Sequence, residues 1–140
     1  MKDASDESAT RFRLAVFRLS RRIRRETPDA VSDAQVLVLA SLHDVGPSTP
    51  GMLADREGVS PPAMNRTVNA LEAAGLARRA ADPDDGRRVL VEITAAGTAF
   101  IDETRRRRNA WMEQAFAALG ADERATLTRA AELMERMLDP

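Results

Sequence analysis

The sequence of 140 residues has no cysteine and no tyrosine. Without thiols, the chain cannot form disulfides, thiolate metal sites or cysteine-based redox sensors, and the cytoplasm is the expected compartment. Aromatic residues make up only 4% of the chain, so a core must be built mainly from alanine, leucine, valine and methionine. The hydrophobic content of 44% is nevertheless enough for a packed core, which excludes wholesale disorder.

Long hydrophobic runs are also missing. The longest apolar stretch, residues 34–42, is interrupted by Gln35 and Ser41. It is far shorter than the roughly 20 residues that a membrane-spanning helix needs. Asp3 and Asp6 lie near the N-terminus and no apolar segment follows them, so the pattern of a secretory signal is absent. The sequence therefore predicts a cytoplasmic protein without a membrane partner.

Positive charge is carried almost entirely by one residue type. Lys2 is the only lysine, and the net charge of the chain is −1. A balance this close to zero argues weakly against a nucleic-acid partner. Arginine, however, is the cation best suited to bidentate contacts with phosphate and guanine. Acids collect at the N-terminus and after Ala121, so the distribution of charge matters more than its sum.

A helix with two different faces is predicted over residues 61–74. Ser60 is a good N-cap, and Gly75 suits the position after the last turn. The inward face carries Met64, Val68 and Leu71, and the outward face carries Pro62, Asn65, Arg66 and Asn69. Arginine and asparagine are the side chains that read guanine and adenine edges in DNA. Solvated surface is the ordinary alternative for such a face.

A short helix precedes this one and a hairpin follows it. Thr49 caps the short helix and Gly58 ends it, which leaves the short connection typical of a helix-turn-helix. Residues 78–81 and 89–93 are predicted strands, and the wing between them, residues 82–88, has Asp-Asp-Gly-Arg-Arg at its tip. An Asp-Gly turn alone indicates only a hairpin. Two closely connected helices followed by this hairpin indicate a winged helix-turn-helix.

The terminal segments are predicted to be helical after a disordered N-terminus at residues 1–9. Their apolar stripes have no obvious place in a small winged core, and they carry Phe12, Val16, Leu19, Leu127, Met134 and Leu138. Packing against a second copy would bury them and would supply the two reading helices that two half-sites require. A monomer that folds these helices back on itself is the alternative.

The predicted fold class is mainly α with a small β-hairpin wing. A single winged-helix domain is expected over residues 10–140. Residues 31–94 would form the DNA-binding core, and residues 10–27 and 95–140 would be dimerisation helices.

Several motifs in this order resemble the multiple-antibiotic-resistance regulator (MarR) family, from Phe12 to Leu138. They are the segments Leu53-Ala54, Val59-Ser60, Asn65 to Glu72, Gly75-Leu76, Asp82 to Arg88 and Ile93 to Gly97. The resemblance implies a winged-helix dimer with ligand-responsive control of transcription, most often repression. Pro50-Gly51 departs from the family, which often has an acid or a lysine there, and the missing tyrosine removes a frequent ligand-pocket residue.

The resemblance also implies a set of DNA-binding residues. On the helix these are Ser60, Pro62, Ala63, Asn65, Arg66, Thr67 and Asn69, and on the wing Asp85, Arg87 and Arg88. Arg87 would enter the minor groove, where a narrow groove attracts an inserted arginine. Asp85 would brace the wing by pairing with a nearby arginine. The effector would be a small aromatic or amphipathic ligand.

Two other features have alternative interpretations. Arg105–Arg108 is a basic run that could contact DNA phosphates or an anionic effector, or could be solvated with at least one side chain inward. His43, the only histidine, could sense pH or hold a carboxylate, or could simply be a polar helix-end residue. No catalytic constellation, metal site or cofactor site is predicted.

The leading hypothesis is a homodimeric transcription regulator that binds double-stranded operator DNA of pseudo-palindromic sequence. The alternative is a winged-helix module for protein interaction or dimerisation without sequence-specific DNA binding. Near-zero net charge favours the alternative, whereas Arg66, Asn69 and Arg87 favour DNA binding.

Overall fold

The computed structural model describes residues 4–28 and 31–139. The elements in chain order are α1 (Ala4–Arg24), α2 (Asp33–Val45), α3 (Pro50–Glu57), α4 (Pro61–Ala73), β1 (Ala77–Ala81), β2 (Val89–Ile93), α5 (Ala95–Ala117) and α6 (Ala121–Leu138). This order confirms the predicted fold class, because helices dominate and a two-stranded antiparallel hairpin follows the helix-turn-helix pair.

Local hydrogen bonds explain where the central helices begin. Ser32 Oγ accepts from the backbone N–H of Gln35 at 3.3 Å, and Gln35 Oε1 accepts from the backbone N–H of Ser32 at 2.7 Å. This is the predicted capping box of α2. Thr49 and Ser60 cap α3 and α4 through their side-chain oxygens, as predicted. Gly58 ends α3 with φ +63°, a left-handed conformation that favours glycine.

One apolar core lies between α2, α3, α4, the hairpin and the first turns of α5. Its members are Val36, Val38, Leu39, Leu42, Leu53, Ala54, Met64, Val68, Leu71, Leu76, Ala77, Val91 and Ile101. They are aliphatic or methionine side chains, as the scarcity of aromatics required. The predicted inward face of α4 is confirmed, since Met64, Val68 and Leu71 are all buried.

The hairpin is attached to the helical core by a third short segment. Ser48 precedes α3 and pairs with Val91 of β2, with N···O distances of 3.1 and 2.8 Å. Ser48 and Val91 are both fully buried. The wing is therefore held on the same rigid unit as α3 and α4.

The terminal helix α1 corrects one expectation. It begins at Ala4, so the prediction of disorder over residues 1–9 is wrong for residues 4–9, and residues 1–3 lie outside the described part of the chain. Asp6 and Glu7 lie in its first turn, where negative charge interacts favourably with the helix dipole. The two acids thus suit the start of a helix. Strand β1 also begins one residue earlier than expected, because Ala77 pairs with Ile93.

The terminal helices leave apolar surface uncovered. Phe12, Val16 and Leu19 of α1 are exposed, as are Leu127 and Leu138 of α6, whereas Met134 is partly buried. Within the described residues, α6 contributes no buried residue at all. These helices are long, but no described helix combines the length and the apolarity needed to cross a membrane.

Close packing around residue 97 explains why a glycine stands in the first turn of α5. Its N–H donates to Thr94 Oγ1 at 3.0 Å, and the backbone N–H of Thr94 donates to the carbonyl of Leu76 at 3.0 Å. A Cβ at residue 97 would collide with that carbonyl oxygen and would lie 2.7 Å from Cγ1 of Ile93. The start of α5 can therefore approach Leu76, the residue before β1, this closely only without a side chain at position 97.

We expect Gly97→Ala to lower the free energy of unfolding by about 1–3 kcal/mol, because the backbone of Leu76 must move to admit the methyl group. A decrease in the free energy of unfolding would point to the close packing, since alanine ordinarily stabilises a helix relative to glycine. Chemical denaturation measures the change. Gly86→Ala is the control, because a Cβ there meets nothing within 4 Å. A Gly97→Ala variant as stable as the original protein would contradict this packing.

Candidate nucleic-acid interface

The outward face of α4 is the exposed side of a helix whose rotation is fixed by the core. Because Met64, Val68 and Leu71 are buried, the opposite side must point to solvent. The exposed residues there include Ser60, Pro62, Asn65, Arg66 and Asn69. The helix follows α3 after Gly58, Val59 and Ser60. The structure thus brings five of the seven predicted helix residues onto one accessible face.

Ala63 and Thr67 lie toward the side of that face. Both are partly buried, and the Thr67 hydroxyl donates to the carbonyl of Ala63 at 3.2 Å. They border a small apolar cavity that Leu37 and Val38 of α2 also line. Ala63 and Thr67 therefore lie at the edge of the exposed face of α4, on the side nearest α2.

Arg79 joins the predicted site although sequence reasoning did not single it out. Its Nη1 donates to Asn69 Oδ1 at 2.8 Å and forms an ion pair with Glu72, and its Nη2 lies 3.5 Å from Asn65 Oδ1. Strand alternation is the signal that could have found it. Ala77 is buried, so residue 79 points to the same inner side, toward α4.

Its neighbour Arg78 lies on the other face of the strand. There its Nη2 donates to Glu92 Oε2 of β2 at 2.7 Å. The two adjacent arginines of β1 therefore have different environments, since only Arg79 reaches the α4 face.

The wing tip is closed by hydrogen bonds to Asp85. Its Oδ1 accepts from the backbone N–H of Arg87 at 3.1 Å, and its carbonyl oxygen accepts from the backbone N–H of Arg88 at 3.0 Å. The side chain of Arg87 is 97% exposed, with its Nε 3.8 Å from Asp85 Oδ1. Asp85 thus closes the turn at the wing tip, and the side chain of Arg87 extends from that turn into solvent.

Arg88 is oriented differently from Arg87. Its Nη2 lies 3.9 Å from the sulfur of Met52 in α3, and its Nε lies 4.0 Å from Asp82 Oδ2. It therefore leans toward the helix-turn-helix rather than away from the tip. Of the two wing arginines, Arg87 has the longer reach from the body of the protein.

Arg56 of α3 ties the helix-turn-helix to the hairpin. Its Nη1 donates to Ser41 Oγ of α2 at 2.7 Å, and its Nη2 donates to Ser48 Oγ. Since Ser48 is bridged to Val91, one side chain connects α2, α3 and β2. The relative placement of α4 and the wing is fixed by contacts away from the exposed face.

The basic run in α5 is largely neutralised within the protein. Nη2 of Arg105 lies 2.7 Å from Asp44 Oδ2, and this hydrogen bond holds the pKa of the Asp44 carboxyl well below its usual range. Arg106 and Arg107 both donate to Glu103, lowering the pKa of that carboxyl to about 2. These pairings favour the interpretation of the run as ordinary helix surface.

His43 belongs to the same polar cluster between α2 and α5. Its Nδ1 lies 2.9 Å from Asp44 Oδ1, and its Nε2 lies 3.3 Å from Asp102 Oδ1. Nη1 of Arg105 is 3.3 Å from the Nδ1 atom. The arrangement agrees with the interpretation of His43 as a polar residue in the last turn of α2.

Arg108 differs from the rest of the basic run, because it points inward. Its Nη2 donates to Thr27 Oγ1 at 2.6 Å, and its Nε is buried with no hydrogen-bond partner among the described residues. It borders a cavity of about 410 Å³ between α1, α2 and α5. The apolar walls of that cavity come from Val16, Leu19, Ile23, Val36 and Leu37.

An exposed polar helix, an arginine-tipped hairpin and a rigid connection between them define a winged helix-turn-helix protein. The exposed parts of α4 and the wing carry Arg66 and Arg87, which suit contacts with base edges and with phosphate or a narrow groove. The class of protein is therefore that of winged-helix nucleic-acid-binding folds.

Comparison with known proteins identifies the family. The sequence model of the MarR family matches residues 31–88. An uncharacterized HTH-type transcriptional regulator of Mycobacterium bovis is 40% identical, covering 99% of this chain and 98% of its own. The transcriptional regulator Tm0710 of Thermotoga maritima has a TM-score of 0.73 and 27% identity, covering 96% of this chain and 98% of its own.

The shared fold extends to more distant sequences. A MarR family protein from Bacillus stearothermophilus has a TM-score of 0.83 at 19% identity, covering 100% of this chain and 99% of its own. The chain belongs to the MarR family of HTH-type transcriptional regulators, as its motifs predicted.

Proposed function

We propose that this regulator is a homodimeric repressor that binds a pseudo-palindromic operator in the bacterial cytoplasm and is modulated by a small ligand. The observation that carries the proposal is the exposure of Arg66 and Asn69 on α4 together with that of Arg87 on the wing. Repression is supported by the repressor NicR of Pseudomonas putida, which is 29% identical over 78% of this chain and 67% of its own length.

The two DNA-contacting parts would have different tasks. Arg66 lies on the exposed face of α4, where a guanidinium can form two hydrogen bonds to one guanine. Arg87 lies at the wing tip, and its charge would respond to phosphates and to the width of the minor groove. We propose that α4 reads sequence and that the wing contributes affinity.

We expect Arg66→Ala to cost about 1–3 kcal/mol on an operator selected from randomised duplexes and to blur preference at one position per half-site. Arg87→Ala should instead weaken operator and scrambled DNA more evenly. It should also reduce the slope of log affinity against log salt by about one unit per phosphate contact, or about two per dimer. Affinity measured across a salt series on both duplexes separates these effects.

Arg106→Ala is the matched control, because it removes the same charge from α5, where Arg106 is paired with Glu103. Its affinity for both duplexes should stay unchanged. If Arg66→Ala lowered the affinity for both duplexes equally, Arg66 would contact the DNA backbone rather than base edges. No sequence preference in the original protein would instead favour the alternative of an interaction module.

The dimer is proposed from the uncovered apolar residues of the terminal helices. Phe12, Val16 and Leu19 on α1 and Leu127 and Leu138 on α6 are exposed in the single chain. Residues 10–27 and 95–140 would serve as the dimerisation helices and residues 31–94 as the DNA-binding core, with α1 extended to Ala4. A two-fold dimer places two copies of α4 on successive major grooves.

We expect Leu127→Asp to weaken the dimer by about 100-fold or more, because an unpaired carboxylate in an apolar interface is strongly unfavourable. The single chain should still fold, since Leu127 is 42% exposed within it. Sedimentation against concentration measures the dimer, and operator affinity should fall with it. Thr128→Asp, one residue along α6, is the control. A Leu127→Asp protein that remains a dimer with normal operator affinity would contradict this interface.

A small aromatic acid is proposed as the effector. The cavity beside Arg108 has apolar walls that suit a ring, and the buried Nε of Arg108 can donate to a carboxylate. BpsR of Bordetella bronchiseptica, whose DNA binding is regulated by 6-hydroxynicotinic acid, has the same fold with a TM-score of 0.74 at 24% identity. A ligand held between α1 and the core would favour a different half-site spacing.

We expect benzoate, as a simple probe, to raise the melting temperature of the protein and to lower its affinity for the operator. Arg108→Met should remove both effects, because the donor for the carboxylate is lost while the apolar stem remains. Arg107→Met is the control, since Arg107 pairs with Glu103 and does not line the cavity. Calorimetric titration checks binding directly. Equal responses of the two variants would place the ligand elsewhere.

A further inference from the structure

The carbonyl oxygen of Asn69 is already engaged within the protein. It accepts a hydrogen bond of 2.8 Å from Nη1 of Arg79, which approaches from β1. Arg79 is held in turn by Glu72, whose Oε1 pairs with its guanidinium and whose Oε2 lies 3.4 Å from its backbone nitrogen. The side chain of Arg79 is only 28% exposed, whereas Asn69 is an exposed residue.

This contact determines which end of the amide faces outward. An asparagine side chain has an acceptor oxygen and a donor NH2 group on opposite sides. A hydrogen bond from a charged guanidinium to the oxygen is stronger than one between neutral groups, so it favours this orientation of the amide. The NH2 group of Asn69 then points away from Arg79, toward the side open to a partner.

The consequence concerns base recognition. Asparagine recognises adenine by using both its oxygen and its nitrogen, one toward N6 and the other toward N7. With its oxygen turned toward Arg79, the amide directs its NH2 group, and not its acceptor, at the amino group of an adenine. It suits the N7 and O6 acceptors of guanine instead.

We infer that Arg79 is a positioning residue for specificity: it orients Asn69 so that the NH2 group donates to the N7 and O6 acceptors of guanine, and it thereby disfavours adenine. This inference rests on the proposed function, since it assumes that α4 reads DNA. Asn65 is held more loosely in the same way, with its Oδ1 3.5 Å from Nη2 of Arg79. The expectation that asparagines of this face read adenine is thereby reversed for Asn69.

The test is selection of sequences from randomised duplexes, followed by competition binding with single base changes. Asn69→Ala identifies the base pair that Asn69 contacts. There the original protein should prefer guanine over adenine by about 5-fold or more, as expected for a specific side-chain contact. Arg79→Met should abolish this preference at that position only. Arg79→Lys, which keeps one donor, should retain part of it.

Three further variants keep the test independent of folding. Asn69→Asp preserves the hydrogen bond from Arg79 but lacks the NH2 group, so it should also lose the preference for guanine. Arg78→Met is the matched control, because Arg78 lies on the other face of β1 and pairs with Glu92. Its base preference should be unchanged. The double variant Arg79→Met with Asn69→Ala should show no further change at that base beyond Asn69→Ala alone.

The outcomes separate the inference from the function on which it rests. A uniform loss of affinity in Arg79→Met with the guanine preference intact would show that Arg79 is only structural. Adenine at the Asn69 position in the original protein would overturn the inference as well. If the original protein selected no sequence at all, the proposed operator binding itself would fail.

Discussion

Burial of one side of α4 is the constraint on which the rest of the structure depends. Met64, Val68 and Leu71 pack into the same core as Leu39 of α2 and Leu53 of α3, and all are essentially inaccessible to solvent. Burying side chains of this size contributes about 1.5–3 kcal/mol each, so the helix cannot rotate about its axis without a large loss. Packing of the buried side therefore determines which residues of α4 face outward.

The wing depends on the same core through a different type of contact. Val91 is buried among the aliphatic side chains, and its backbone pairs with Ser48 rather than with water. Since Arg56 also donates to Ser48, the hairpin and the helix-turn-helix share one network of hydrogen bonds. Ser48 is buried, so its polar groups need partners within the protein, and this pairing ties the hairpin that carries Arg87 to the helix-turn-helix.

Arginines have contrasting tasks in this molecule. Arg105 and Arg106 are paired with carboxylates on the protein itself, so their charges are locally compensated. Arg66 and Arg87 lie on exposed surfaces of α4 and the wing. Arg79 combines features of both groups. It is paired with Glu72, and it also contacts the exposed face of α4 through Asn69. The overall charge thus says little about where a polyanion would bind.

The sequence by itself determined the local structure: the caps at Ser32, Thr49 and Ser60, the buried stripe of α4 and the hairpin after it. These features depend on neighbours a few residues apart, so their spacing is readable in one dimension. Motif resemblance supplied the family, which the comparisons confirmed.

Only the tertiary structure decided contacts between residues distant in sequence. It brought Arg79 to Asn69, Arg56 to Ser41, and Arg108 to Thr27. It also placed the start of α1 at Ala4, within the segment that was expected to be disordered. The physical reason is the same throughout: a long side chain has many possible partners, and only the packing of the core fixes which of them lies within hydrogen-bond distance.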